Sequence, residues 1–262
     1  MQGAHVLPDI DALSRAAAAE AVGIIRSAVA QRGTCALALS GGNTPRSLYR
    51  LLGTAYGEQI PWEHVHLFWG DERYVSPDDP ASNYRMVRET LLNAVPIPAA
   101  QVHPMPTGHA DPNDAAREYE VLLKRKFNDD WPRFDLILLG LAPDGHIASL
   151  FPGSKALVED KRRVVAVRVP KEPPQRLTLT LPAINHAANV HFLVAGRSKA
   201  GALHRALVGP CDVQTCPALG VKPMDGTVAW WVDEAAATFL SAEGRPRAPS
   251  SRSAGCLRDS EG

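Results

Sequence analysis

Two titratable side chains, Asp144 and His146, occupy a turn that directly follows an apolar run. The run, Leu136 to Leu139, has no polar interruption, which is typical of a strand covered on both faces. Ligands of open parallel sheets bind just beyond the carboxyl ends of strands, and histidine can take and return a proton near neutral pH. This turn is therefore a candidate catalytic site. The competing interpretation is a plain strand-to-helix turn, in which Asp144 and Gly145 only shape the backbone.

A second group of charged residues follows another apolar run. Residues 64–69 predict a strand, and Gly70-Asp71-Glu72-Arg73 comes directly after it. The fork of an arginine guanidinium suits a phosphate or carboxylate held in fixed orientation. The alternative is a local salt-bridged turn in which Glu72 and Arg73 neutralise each other.

A glycine pair joins a third apolar strand to a helix. Gly41 and Gly42 can take backbone angles that point successive N–H groups at an anion, and a helix N-terminus adds to that field. We predict Thr44 as the N-cap and Pro45 as the first helical residue. The turn is neither a Walker motif nor a dinucleotide fingerprint, and a tight turn before a capped helix is the competing interpretation. The candidate phosphate-binding residues of this turn are Gly41, Gly42, Asn43 and Thr44.

Two more cations are expected at the same edge of the sheet. Lys199 falls in the first turn of a predicted helix, where the helix dipole disfavours a cation and a bound phosphate would reverse the penalty. Arg176 follows a proline-rich loop and opens a short alternating strand. The alternative for Lys199 is a solvated surface lysine.

The elements that position these residues alternate between strand and helix. Periodicity predicts helices at 9–31, 84–92, 113–128, 198–208 and 233–240, one further helix after Pro45, and strands at 35–39, 64–69, 134–139, 164–169, 176–179, 190–195 and 228–232. Such alternation indicates an α/β fold with a doubly wound, mostly parallel sheet and helices on both faces. We expect residues 1–241 to form a single catalytic domain and 242–262, rich in Ser, Arg, Pro and Gly, to form a disordered tail.

Composition limits the partners. Lys plus Arg and Asp plus Glu both number 28, which gives no electrostatic reason to expect nucleic acid or an anionic membrane. No secretory signal or membrane-length apolar stretch is apparent. Four cysteines without a CxxC pair indicate free thiols and a cytoplasmic location.

Two other chemistries fit poorly. Gly196-Arg-Ser198-Lys-Ala200 nearly matches a nucleophile elbow, but no acid-then-histidine order follows Ser198. His64 and His66 share a strand face, yet no third ligand completes a zinc site.

Several motifs, taken together in their order and spacing, resemble one family, the 6-phosphogluconolactonases. They are Leu39-Ser-Gly-Gly-Asn-Thr-Pro45, Phe68-Trp-Gly-Asp-Glu-Arg-Tyr-Val75, Ser82-Asn-Tyr84, Leu139-Gly-Leu-Ala-Pro-Asp-Gly-His-Ile-Ala-Ser-Leu-Phe-Pro-Gly153, Arg176-Leu-Thr-Leu-Thr180, Gly196-Arg-Ser-Lys199 and Trp231-Val-Asp233. The family shares its fold with the glucosamine-6-phosphate deaminases, whose Asp-Gly-His usually runs on to Phe-Asn-Glu-Pro instead of Ile147-Ala-Ser-Leu-Phe-Pro152. Ala142 stands where many members have glycine.

The resemblance implies hydrolysis of 6-phospho-D-glucono-1,5-lactone without a metal or cofactor. His146 is expected to be the base, oriented by Asp71 or Asp144, with Arg73 holding substrate or stabilising the oxyanion. The 41–44 turn, Arg176 and Lys199 are expected to hold the 6-phosphate. The alternatives are a glucosamine-6-phosphate deaminase and a non-catalytic sugar-phosphate sensor. We expect a monomer or weak homodimer.

Overall fold

The computed structural model describes residues 4–240, so the predicted disordered tail at 242–262 lies outside the described residues. The strands are β1 (Ala4–Leu7), β2 (Cys35–Leu39), β3 (Val65–Trp69), β4 (Asp71–Arg73), β5 (Val102–His103), β6 (Leu136–Gly140), β7 (Val164–Arg168), β8 (Gln175–Leu179), β9 (Asn189–Val194) and β10 (Thr227–Asp233). The α-helices are α1 (Ile10–Arg32), α2 (Asn43–Gly53), α3 (Asn83–Thr90), α4 (Pro112–Phe127), α5 (Leu181–Asn185) and α6 (Ala200–Leu207).

Seven strands form the main sheet in the order β1-β10-β9-β6-β2-β3-β5, and every pairing in it is parallel. The connection through α1 runs from β1 towards the β5 edge, whereas the connection through α6 runs back from β9 to β10. Because strand–helix–strand crossovers are right-handed, the two helices lie on opposite faces of the sheet. The predicted doubly wound α/β fold is thus confirmed.

A second, three-stranded sheet stands beside the carboxyl edge of the first. Its order is β4-β8-β7, and both pairings are antiparallel. The sequence did not predict this sheet, because Asp71–Arg73 was interpreted as a turn and the strand at 176–179 had no assigned partner. The antiparallel register places Arg73 directly opposite Arg176.

Local chemistry explains where the helices begin and end. Asp9 caps α1 by accepting a hydrogen bond from the backbone N–H of Ala12 at 2.7 Å, and Gly33, with φ 75°, ends that helix. Ser82 caps α3 through the N–H of Arg85. These boundaries lie within one or two residues of the predicted ones.

Two local predictions and one competing interpretation were wrong. The segment 233–240 contains only a 3₁₀ turn, Ala236–Phe239, after β10, which itself runs on to Asp233. The segment after Gly196 begins as a 3₁₀ turn, Arg197–Lys199, before α6 starts at Ala200. No helix directly follows His146, since the next α-helix is α5, and this removes the strand-to-helix interpretation of that turn.

Candidate active site

Four neighbouring strands of the main sheet end at one cavity. The strands β9, β6, β2 and β3 are adjacent in that order, so the segments after their carboxyl ends meet at one edge. The cavity has a volume of about 560 Å³. Of the ten predicted site residues, nine line it, namely Gly41, Gly42, Asn43, Thr44, Asp71, Arg73, His146, Arg176 and Lys199. The tenth, Asp144, lies behind His146.

The segment after β2 presents an uncapped helix N-terminus to this cavity. The N-cap of α2 is Gly42, at φ 108°, and no side chain caps the helix. The predicted N-cap, Thr44, is instead the second residue of the helix, because a left-handed φ at Gly42 turns the chain into the helix two residues earlier. The first-turn N–H groups therefore remain available to an anion.

Gly41 is required by a close approach rather than by its own backbone angles. A Cβ at this position would lie 1.9 Å from Oδ1 of Asn83. Asn83 is itself the first residue of α3 and is almost fully buried. The glycine turn is thus fitted against α3, and only glycine leaves room for that contact.

The imidazole of His146 is held by two contacts, one at a ring nitrogen and one on a face of the ring. Its Nδ1 lies 2.7 Å from Oδ1 of Asp144, and its ring stacks on Phe151 with centroids 3.8 Å apart. A carboxylate at Nδ1 favours the proton on that nitrogen, which leaves Nε2 as the basic atom. The arrangement is that of an oriented general base.

Asp144 is stabilised as a carboxylate. Partial burial acts to raise its pKa, but the hydrogen bonds from the ring and backbone of His146 and the contact with Lys171 outweigh burial and hold the pKa well below its ordinary value. The Nζ of Lys171 lies 3.1 Å from Oδ2 of Asp144.

Asp71 has a different set of partners. Ser149 donates its hydroxyl to Oδ2 of Asp71 at 2.7 Å, and Asn83 donates its amide to Oδ1 at 3.3 Å and to the backbone carbonyl at 2.9 Å. In the described part of the chain no hydrogen bond joins Asp71 to His146. Of the two candidate carboxylates, Asp144 alone contacts the imidazole.

Glu72 points away from the cavity and anchors α3. It accepts backbone N–H groups of Arg73, Asn83 and Tyr84, each at 2.7 Å, and the Ser82 hydroxyl at 3.3 Å. Burial raises its pKa to about 7, although these donors act in the opposite direction. Glu72 forms no ion pair with Arg73, so the interpretation of a salt-bridged turn does not hold.

Three of the four cations that line the cavity, Arg73, Arg176 and Lys199, lack carboxylate partners among residues 4–240. Arg73 donates to the carbonyl of Ala81 at 2.6 Å, and Arg176 donates to the carbonyl of Pro173 at 2.8 Å. Burial, followed by the charge of Arg73, lowers the pKa of Arg176, and burial also lowers that of the half-buried Lys199. Cations that stand together without counter-ions attract an anion.

Sequence reasoning did not single out several residues of the site. Asn83 and Phe151 stand in motifs that were noted, but their contacts depend on the tertiary fold. Lys171 gave no signal beyond being a lysine in a proline-rich loop. His66, which was considered above as a zinc ligand, lies outside the cavity, where its Nδ1 is 3.1 Å from Nε2 of His103.

Residues 4–240 hold no cluster of three or more His, Cys, Asp or Glu side chains arranged to bind a metal ion. None of the helices in this part of the chain is long and apolar enough to cross a membrane. Cys35, Cys211 and Cys216 form no disulfide, and Cys256 lies outside the described residues.

The fold and the cavity define a doubly wound α/β protein in which a histidine–carboxylate pair lies beside a group of cations at the carboxyl edge of the sheet. Residues 8–230 match the family described as glucosamine-6-phosphate isomerases/6-phosphogluconolactonase, and the chain belongs to that family.

Individual relatives agree with this assignment. The 6-phosphogluconolactonase of Synechocystis is 47% identical over 219 residues, covering 82% of this chain and 89% of the relative. That of Mycobacterium tuberculosis is 46% identical over 243 residues, covering 90% and 97%. The solved structure of 6-phosphogluconolactonase from Trypanosoma cruzi superposes with a TM-score of 0.80 at 30% identity, covering 92% of this chain and 97% of that one.

Proposed function

We propose that this chain hydrolyses 6-phospho-D-glucono-1,5-lactone to 6-phospho-D-gluconate, the second step of the oxidative pentose phosphate pathway. Relatives named 6-phosphogluconolactonase, at 46–47% identity, support this choice of substrate. One observation carries the chemistry, namely that an oriented imidazole and a set of unpaired cations line the same cavity.

His146 activates water. With its Nδ1 proton directed at Asp144, Nε2 takes a proton from a water molecule that attacks the lactone carbonyl. Asp144 stabilises the resulting imidazolium, which then returns the proton to the departing ring oxygen. Because a lactone carbonyl is already electrophilic, this route needs neither a metal ion nor a covalent nucleophile.

The phosphate is held at the glycine turn. The uncapped N-terminus of α2 offers backbone N–H groups from residues 42–44, and Lys199 and Arg176 supply charge. A phosphate held at this turn places C1 of the lactone near His146, so that part of the binding energy is used to align the reacting groups.

Arg73 stabilises the negative charge that develops on the carbonyl oxygen. Its guanidinium lines the cavity, is partly buried and has no carboxylate partner in the described residues, so its charge is not already neutralised. Asp71, held by Ser149 and Asn83, presents a fixed carboxylate to the sugar hydroxyls.

A cytoplasmic location and a monomer or weak homodimer complete the proposal. The free thiols Cys35 and Cys216 are both buried, and burial raises the pKa of Cys216, which keeps it neutral and unreactive. Free thiols are typical of a reducing compartment.

The test is a coupled assay with freshly generated 6-phosphogluconolactone and excess 6-phosphogluconate dehydrogenase, run with and without EDTA. We expect rapid turnover that EDTA does not affect. Replacing His146→Ala should lower kcat by about 10²–10⁴-fold with little change in KM. Replacing Lys199→Ala should raise KM by about 10–100-fold, the range expected for one lost hydrogen bond to a charged group.

Matched controls are His64→Ala and Lys161→Ala, since both side chains are exposed and lie outside the cavity. Equal changes of kcat and KM in the two site variants would contradict the division of roles. Turnover no faster than spontaneous hydrolysis would refute the lactonase itself, and ammonia release from glucosamine 6-phosphate would then identify a deaminase.

A further inference from the structure

The loop between β7 and β8 carries a lysine into the cavity and is fixed at several points. The N–H of Val169 bonds the carbonyl of Pro174 at 2.8 Å and closes the loop. Arg176 donates from Nε to the carbonyl of Pro173 at 2.8 Å and from Nη2 to that of Glu172 at 3.4 Å. Because the backbone around Lys171 is tied down, its Cα is held beside the cavity, and the half-exposed side chain reaches Asp144 from there.

Lys171 touches both groups that hold the imidazole. Its ammonium lies 3.1 Å from Oδ2 of Asp144, while the other oxygen, Oδ1, lies against Nδ1 of His146. The two contacts use different oxygens and therefore do not compete. The same ammonium lies 5.4 Å from the ring centroid of Phe151, which stacks on His146.

We propose that Lys171 is a positioning residue for the hydrolysis, which fixes the rotamer of Asp144, partly neutralises its charge and thereby keeps the imidazole of His146 aligned. The proposal rests on the lactonase function proposed above. Lys171 does not touch the reacting atoms in this assignment; it acts through Asp144 and Phe151.

Lys171 restricts the rotation of the Asp144 carboxylate. The carboxylate of Asp144 is held from the protein side by the ring and the backbone N–H of His146, both on Oδ1. In the described residues, Lys171 is the contact made to Oδ2. Without it, Asp144 keeps one anchored oxygen and one solvated oxygen, and the imidazole loses the rigid carboxylate plane that sets its own angle.

Charge is the second contribution. An uncompensated Asp144 carboxylate favours the imidazolium, whereas a cation on Oδ2 reduces that preference. The charged side chains around the cavity are Asp71, Arg73, Asp144, Lys171, Glu172, Arg176 and Lys199. Behind Gly145 lies the Cys216 thiol, whose pKa is raised by burial and which stays neutral.

The experiment measures the pH profile of kcat/KM for Lys171→Met, Lys171→Arg and the exposed control Lys161→Met in the coupled lactonase assay. Methionine keeps the length and apolar stem of lysine and removes its charge. We expect Lys171→Met to lower kcat about tenfold and to move the acid limb of kcat/KM to higher pH by about half a unit, the size expected of one partly exposed neighbouring charge. Lys171→Arg should restore most of both losses, and Lys161→Met should match wild type.

Two other results would overturn the proposal. A rise in KM with an unmoved acid limb would make Lys171 a substrate ligand. Wild-type kinetics at every pH in Lys171→Met would make it a solvated surface lysine. Thermal unfolding of each variant, followed by circular dichroism, shows whether a loss of activity comes from unfolding. A wild-type chain without lactonase activity would refute the proposed function. An active wild type whose Lys171→Met variant has an unshifted pH profile would refute only the role of Lys171.

Discussion

Replacing Gly41 by alanine tests how the phosphate turn is fitted to the rest of the site. The new Cβ would lie 1.9 Å from Oδ1 and 2.5 Å from Cγ of Asn83, a separation at which one group must move. The backbone of Asn83 cannot retreat easily, because its N–H is bonded to the buried Glu72 at 2.7 Å. We therefore expect the Asn83 side chain to rotate away.

The magnitude follows from the contacts that Asn83 would lose. Its amide bonds the backbone carbonyl of Asp71 at 2.9 Å and the Asp71 carboxylate at 3.3 Å. At about 1 kcal/mol for each buried hydrogen bond, Gly41→Ala should lower the free energy of unfolding by about 2 kcal/mol. For a chain of this size that corresponds to a fall in Tm of about 4–8 °C.

A double-mutant cycle separates the collision from other causes. Asn83→Ala alone loses the same bonds, so the double variant Gly41→Ala/Asn83→Ala should be about as stable as either single variant. The two losses are then not additive, and the interaction energy between the two positions is about 2 kcal/mol in magnitude. Urea and thermal unfolding provide the free energies, and the coupled assay provides KM, which should rise in Gly41→Ala. Gly23→Ala is the matched control, because its Cβ would meet nothing within 4 Å on the exposed face of α1 and should increase stability by about 0.5–1 kcal/mol. Additive losses in the double variant would refute the reasoning.

Two further predictions concern carboxylates. The pKa of Glu72 is about 7 in the folded chain against an ordinary value of 4.5, so the folded state binds the proton more tightly and the free energy of unfolding should fall as pH rises from about 4.5 to about 7, by up to about 3 kcal/mol. Urea unfolding measured across that pH range should give a free energy of unfolding that depends less on pH in Glu72→Gln than in the wild type. An equal pH dependence in the two proteins would contradict the assignment. Asp144→Asn should lower kcat about 10²-fold with little change in KM, because the amide no longer stabilises the imidazolium of His146. A loss no larger than that of the exposed Asp160→Asn, measured in the same coupled assay, would count against that role.

The elements that carry the site could be predicted from sequence because their signals are local. The apolar run 136–139, the glycine pair at 41–42 and the periodicity of 9–31 each reflect a preference decided within a few residues. Strands that alternate with helices then imply a parallel sheet, and a parallel sheet brings its carboxyl ends to one edge. Of the nine candidate residues that line the cavity, all but Arg176 belong to segments that follow strands of this parallel sheet.

The pairing of β4 with β8 could not be predicted in this way. Asp71–Arg73 is only three residues long and pairs with a segment about a hundred residues further along the chain. Nothing in so short a segment distinguishes a strand from a turn, because the pairing that makes it a strand is with the distant segment β8. The juxtaposition of Arg73 and Arg176 follows from that pairing alone.

The amino-acid sequence by itself determined the class of fold, the family and the residue types of the site, since all three depend on local patterns and their order. Only the tertiary structure decided which groups touch. It placed Asp144 rather than Asp71 on His146, made Gly42 rather than Thr44 the N-cap, and brought Lys171 to the far oxygen of Asp144. These choices depend on distances of a few tenths of an ångström between segments far apart in the chain, and residue type and spacing do not encode such distances.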